Sequence, residues 1–95
     1  MQMHELKTVN PYFSLTWDGK KDFEIRKNDR DYHEGDILWL KEYKEDGGYF
    51  TNRFVLAVVK KIVIPENTFI GLAAGYCAMS IVVMRKDDGV KNDGD

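Results

Sequence analysis

The sequence is short of the residues that mark whole classes of protein. It has a single cysteine, Cys77, which excludes an internal disulfide and leaves no thiol set for a structural zinc site. Its longest apolar stretch is interrupted by Lys60 and Lys61, well below the roughly 20 residues that a membrane-spanning helix needs. The chain opens on the polar MQMHELK instead of a basic segment followed by an apolar one, so a cytoplasmic protein is expected. No charge of one sign dominates either. Fourteen Lys and Arg stand against sixteen Asp and Glu, a formal net charge of −2, which argues against a broadly basic protein that coats nucleic acid. Any nucleic-acid site must be local.

What is present suits one small domain. Of 95 residues, 43% are hydrophobic and 13% aromatic, enough for a modest core and too few for a second domain. Residues 20 to 30 hold five basic side chains (Lys20, Lys21, Arg26, Lys27, Arg30) against three acidic ones (Asp22, Glu24, Asp29), a net positive segment in a near-neutral chain.

Residues 3 to 9, MHELKTV, read as a strand with Leu6 toward a core. NPYFSLTWDG reads as a helix with Asn10 as N-cap, Pro11 at the first helical position and Gly19 just beyond the end. Phe13 and Trp17 share one face of it. FEIRK is a strand, and KNDRDYHEGD is dense in turn formers. ILWLKEYK begins another strand, and EDGG marks a hairpin tip before the long extended run YFTNRFVLAVVKKIVI. Phe54 to Val59 is apolar on both parities, as expected of a central strand or a curved seam, where a bulge is also expected. Pro65 and Asn67 open a loop that Gly71 and Gly75 punctuate, and CAMSIVVM closes the domain. RKDDGVKNDGD, residues 85 to 95, lacks apolar periodicity and is expected to be a disordered acidic tail after a domain of residues 1 to 84. Five or six short strands with one helix indicate an α+β domain on a small curved sheet or barrel.

The stretch GKKDFEIR carries the chemistry. In an extended segment Phe23 and Ile25 point one way, and are expected to be its buried face, while Asp22, Glu24, Arg26 and Asn28 point the other. Those charges are either a solvated strand face with a weak ion pair, worth about 0–1 kcal/mol, or the floor of a cleft partly covered by the helix. Such a cleft suits a polar, planar ligand, since arginine offers forked donors, glutamate accepts from an amine and lysine is a mobile point charge. Tyr12, Trp17 and Tyr32 flank the segment and could stack on a base, although large aromatics in a small domain are first of all core. Cys77, in the apolar GYCAMS, reads as a core residue. His4 and His33 lack metal-ligand spacing, and Gly47-Gly48 lacks the helix and lysine of a phosphate loop. No metal or cofactor is expected.

Residues 19 to 26 fit G-x-K-x-x-E-x-R, the signature of ASCH domains in the PUA-like group of small β-barrels. HELK (His4 to Lys7), the helix with Tyr12-Phe13, RKNDR (Arg26 to Arg30), the GDILWL strand start and the final strand also resemble a compact, stand-alone phage and bacterial branch of that group, over residues 3 to 84. The resemblance implies a pseudo-β-barrel with a helix beside a cleft lined by Lys21, Glu24 and Arg26, and binding of RNA or a nucleotide-like ligand. Lys7, Asn28 and Arg30 are the secondary site residues, and a hydrogen-bonding role for His4 near the cleft stays open. Some ASCH-type proteins hydrolyse an acetylated cytidine with the motif lysine, a threonine three residues later and a downstream glutamate. Here Lys21 fits, Glu24 stands where the threonine would be and Glu66 is the only glutamate between the long strand and the last strand, so that set is incomplete and a small amidohydrolase acting on a modified cytidine-like base or nucleoside is the alternative. A protein-interaction module using the acidic tail or a sheet edge is the third.

Overall fold

The computed structural model describes residues 1–65 and 71–90. Strand β1 (Met3–Val9) leads into helix α1 (Tyr12–Trp17), then β2 (Phe23–Lys27), β3 (Ile37–Lys44), β4 (Tyr49–Val63) and β5 (Tyr76–Asp87). The strands form one sheet in the order β1-β3-β4-β5-β2, with β1 parallel to β3 and the other pairs antiparallel. The sheet curls into a half-barrel with α1 beside it, the small α+β pseudo-barrel expected from the sequence. No helix among the described residues is long and apolar enough to cross a membrane.

The core lies on the concave face. Leu6 registers with Leu40 and Leu40 with Val55, and the neighbouring row joins His4, Leu38 and Ala57. Cys77, Met79 and Ile81 continue the same buried face on β5. β4 is central, flanked by β3 and β5, and its expected irregularity falls between Leu56 and Ala57 and again between Val59 and Lys61. β5 runs past Met84, where its apolar pattern ends. Arg85, Lys86 and Asp87 pair with Leu56, Val55 and Phe54, and Lys86 Nζ donates to the Trp17 carbonyl, so backbone pairing holds a segment assigned from sequence to a tail. Of that tail, residues 91–95 lie outside the described residues.

Helix α1 is too short to stand alone and is fixed by packing and polar anchors. Phe13 and Thr16 are buried beneath it. The capping position falls on Pro11, one residue later than the Asn10 expected from sequence, and Pro11 is not inside the first turn; Asn10 Oδ1 accepts from Ser14 N and Ser14 Oγ from just outside the helix. Gly19, at φ +76°, ends it in a left-handed conformation. The helix is tied to the sheet through Glu42. This carboxylate points inward with Leu38 and Leu40, accepts Asn10 Nδ2 at 2.7 Å and Thr51 Oγ1 at 2.6 Å, and receives a two-point bond from Arg53 Nε and Nη2 at 2.9 and 3.0 Å. The Arg53 guanidinium lies over the rings of Trp17 and Phe13, at 4.7 and 5.2 Å. A second buried carboxylate, Asp36, gathers the start of the chain, accepting from Gln2 N, His33 N and His4 Nε2.

Both networks set an acid limit. Hydrogen bonds from Arg53, then Thr51 and Asn10, hold Glu42 at about 2 against its burial, below its usual 4.5. For Asp36 burial pushes upward, but His4 and the two backbone donors prevail and hold it at about 2, below its usual 3.8. A carboxyl depressed on folding contributes stability that is complete above its unfolded pKa and is lost as pH falls toward its folded one. Urea midpoints should therefore be level above about pH 5 and fall between about pH 4.5 and 2. Glu42→Gln should lower the neutral-pH midpoint and flatten that acid limb; a variant with an acid limb as steep as the parent would show that Glu42 does not generate it.

Candidate functional site

Strand β2 has the opposite parity to the sequence expectation. Phe23 and Ile25, expected to be its buried face, are 45% and 50% exposed, whereas Glu24 is 3% exposed. Glu24 registers with Met79 and Arg26 with Cys77, both fully buried, while Phe23 and Ile25 lie opposite Ser80 and Ala78 on the other face. Strand alternation then carries the charges inward. An isolated buried carboxylate would be very costly, and here each oxygen has its own cation. Lys21 Nζ donates to Glu24 Oε1 at 2.7 Å and Arg26 Nε to Oε2 at 2.9 Å. Lys21 Nζ also donates to the Phe23 carbonyl.

Arg26 has a second task. β1 and β2 are the two edges of the sheet, and edge carbonyls need partners. Arg26 Nη1 donates to the Lys7 carbonyl and Nη2 to Thr8 Oγ1, each at 3.1 Å, while Arg30 Nη1 donates to the Glu5 carbonyl at 3.0 Å. Two arginine side chains thus join edges that share no backbone pairing.

Beside this seam lies a cleft of about 580 Å³. Lys7, Thr8 and Val9 of β1 form one wall, Tyr12 and Leu15 of α1 the second, and residues 23–26 of β2 the third, with Lys20 and Lys21 at the corner. Four cations therefore face one carboxylate. Lys7 and Lys20 are exposed and their ammonium groups form no ion pair among the described residues. Tyr12 and Phe23 supply flat apolar surface. Glu24 is 3% exposed and each of its oxygens already accepts from a cation, which leaves one further acceptor position on each oxygen.

Of the residues singled out from sequence, Lys7, Lys21, Glu24 and Arg26 line this cleft; Asn28 and Arg30 do not. Asn28 N binds the Gly75 carbonyl and Arg30 spans the seam. Of the flanking aromatics only Tyr12 reaches it. Trp17 packs under Arg53, and Tyr32 is buried against His4, its phenol pushed up by burial against the opposing fields of Arg26 and Arg30. His4 is held by Asp36, outside the lining. Cys77 is buried, and that burial raises its thiol pKa. Glu66 lies outside the described residues. Among the described residues no three His, Cys, Asp or Glu converge as metal ligands. Sequence reasoning missed Lys20, whose signal was adjacency to Lys21, and it missed the apolar lining because Phe23 and Ile25 were assigned to the core.

Comparison with known proteins adds a family. The model described as "Domain of unknown function (DUF3850)" matches residues 3–81, from the first residue of β1 into β5. The chain belongs to the DUF3850 family. The DUF3850 match takes in every residue of the cleft. The chain is also 43% identical, over 61 residues, to an uncharacterized 12.9 kDa protein in the GpA 3′ region of Escherichia phage P2; this covers 64% of the chain and 54% of the phage protein, so the chain spans about half of that relative. A crystal structure of the hypothetical protein PH0355 superposes with a TM-score of 0.56 at 21% identity, covering 88% of this chain and all of that one. That likeness is one of fold.

The inverted parity makes a mutational order. Glu24→Ala leaves two partly buried cations without their counter-ion and should cost about 2–3 kcal/mol. Phe23→Ala and Ile25→Ala, on the exposed face, should each cost less than about 1 kcal/mol. Chemical denaturation of the three variants checks this; the reverse order, with Phe23→Ala the most damaging, would restore the apolar residues to the core.

Proposed function

We propose that the chain is an ASCH-type, PUA-like domain that binds RNA or a nucleotide in the cleft between β1, α1 and β2. The observation that carries this is the gathering of Lys21 and Arg26 around buried Glu24 on the floor of a cleft with exposed Lys7 and Lys20 at its mouth. The division of labour follows from the chemistry. Lys7 and Lys20 meet phosphate, whose affinity for them falls with salt. Tyr12 and Phe23 offer ring faces to a base. Arg26, with one N–H left on each of its two terminal nitrogens, supplies donors to a base carbonyl or phosphate oxygen, and Glu24 fixes the guanidinium plane so that those donors are already aimed.

Arg26 also holds the seam, so its removal confounds binding with folding; the exposed lysines separate them. In the double variant Lys7→Glu/Lys20→Glu, affinity for a fluorescein-labelled single-stranded RNA should fall at least ten-fold, with Tm moving by no more than a few degrees. For the parent, log affinity should decline with log salt with a slope near −0.7 for each phosphate engaged. Folded protein that binds neither RNA nor a nucleoside monophosphate at low salt would overturn the proposal, as would a double variant that binds as the parent does.

A further inference from the structure

The convex face of the sheet carries an alternation of cations and rings that begins at the cleft. Lys7, a cleft residue, holds its ammonium 4.6 Å from the centre of the Tyr43 ring. Tyr43 meets Phe50 edge-on at 4.9 Å, and Lys41 stands over Phe50 at 4.7 Å and over Trp39 at 4.9 Å. Trp39 packs edge-on against Phe54 at 5.9 Å, and Arg85 covers Phe54 at 5.9 Å. The series crosses from β1 through β3 and β4 to β5, three interstrand steps of about 4.8 Å. Strand alternation generates it, because Leu38 and Leu40 point inward while Trp39, Lys41 and Tyr43 point out. Between Trp39, Phe50 and Phe54 lies a second hollow of about 280 Å³, at the small end for ligand pockets, and the Trp39 indole N–H is buried without an acceptor among the described residues.

Apart from Lys7, neither the core nor the cleft uses these groups. Lys41 is paired with Glu5 at 3.4 Å and Arg85 with Asp87 at 2.8 Å, so the track is not uniformly basic. Cations resting on ring faces are nonetheless the arrangement that a single strand can exchange into, each base displacing an ammonium from a ring while that ammonium moves to the adjoining phosphate.

We infer that the ligand is a single-stranded nucleic acid and not a free nucleotide: one nucleotide occupies the cleft, and the strand continues over Lys7 onto the track formed by Tyr43, Phe50, Lys41 and Trp39. This rests on the cleft proposal and extends it, naming a polymer as the ligand class and the convex face as its second contact. A double-stranded ligand fits less well, since a duplex hides the base faces that the exposed rings would take.

The test compares uridine monophosphate with oligouridylates of increasing length, using titration calorimetry on the full chain and on Phe50→Ala and Lys41→Ala, both at the accessible convex face. Affinity should rise with length until the track is filled, and its salt dependence should steepen by about 0.7 for each added phosphate contact. Phe50→Ala should weaken the longer oligomers about ten-fold, in line with the loss of one base stack, while leaving uridine monophosphate binding unchanged. If oligomers bind no tighter than the monophosphate, or if both convex-face variants bind oligomers as the parent does while Lys7→Glu/Lys20→Glu loses them, the track falls and the cleft stands. If folded protein binds neither probe, both fall.

Discussion

Everything in this small domain depends on how a curled sheet with two open edges is closed. β1 and β2 do not pair, and the β1 carbonyls at Glu5 and Lys7 are met by arginine side chains from β2 and the segment after it. A guanidinium placed there must be held in plane, and Glu24 does so from the interior; the carboxylate in turn requires a second cation, which Lys21 provides. The polar cluster therefore closes the barrel and floors the cleft with the same side chains. Closure and the proposed recognition cannot be separated at Arg26, which is why the exposed lysines and rings around it are the informative places to intervene.

The secondary structure was largely legible. The ILWLKEYK strand, the EDGG turn and the central, irregular β4 all follow from alternation and turn chemistry, and they appear where those signals lie. The orientation of β2 was not legible. A five-residue strand with Phe23 and Ile25 on one parity and Glu24 and Arg26 on the other invites the apolar set inward, and only the pairing of Glu24 with Met79 and Arg26 with Cys77 reverses it. That pairing joins residues more than fifty positions apart, and local pattern carries no information about it. The same distance effect hid the anchoring of α1, because Glu42 in a strand looks like a surface charge until Arg53, Thr51 and Asn10 converge on it. Its one visible signal was its shared parity with Leu38 and Leu40.

The candidate site was legible to the extent that it is local. Lys21, Glu24 and Arg26 fall within six residues, so their proximity was readable in the chain itself. Lys7 reaches the cleft because β1 borders the seam, whereas Asn28 and Arg30 lie beyond the point at which β2 leaves it. The ion cluster floors an opening to which two exposed lysines, Lys7 and Lys20, and two flat side chains, Tyr12 and Phe23, are presented.

The sheet order has a further consequence during synthesis. Strands β3, β4 and β5 follow one another as an antiparallel meander that neighbouring contacts can assemble, whereas both rims of the sheet come from the first 27 residues. The amino-terminal third leaves the ribosome first and must wait for β5 before β2 has anything to pair with, since its partners begin at Tyr76. The recess between those rims is thus the last part of the molecule to take shape, and a nascent chain acquires it only when nearly all of the domain has emerged.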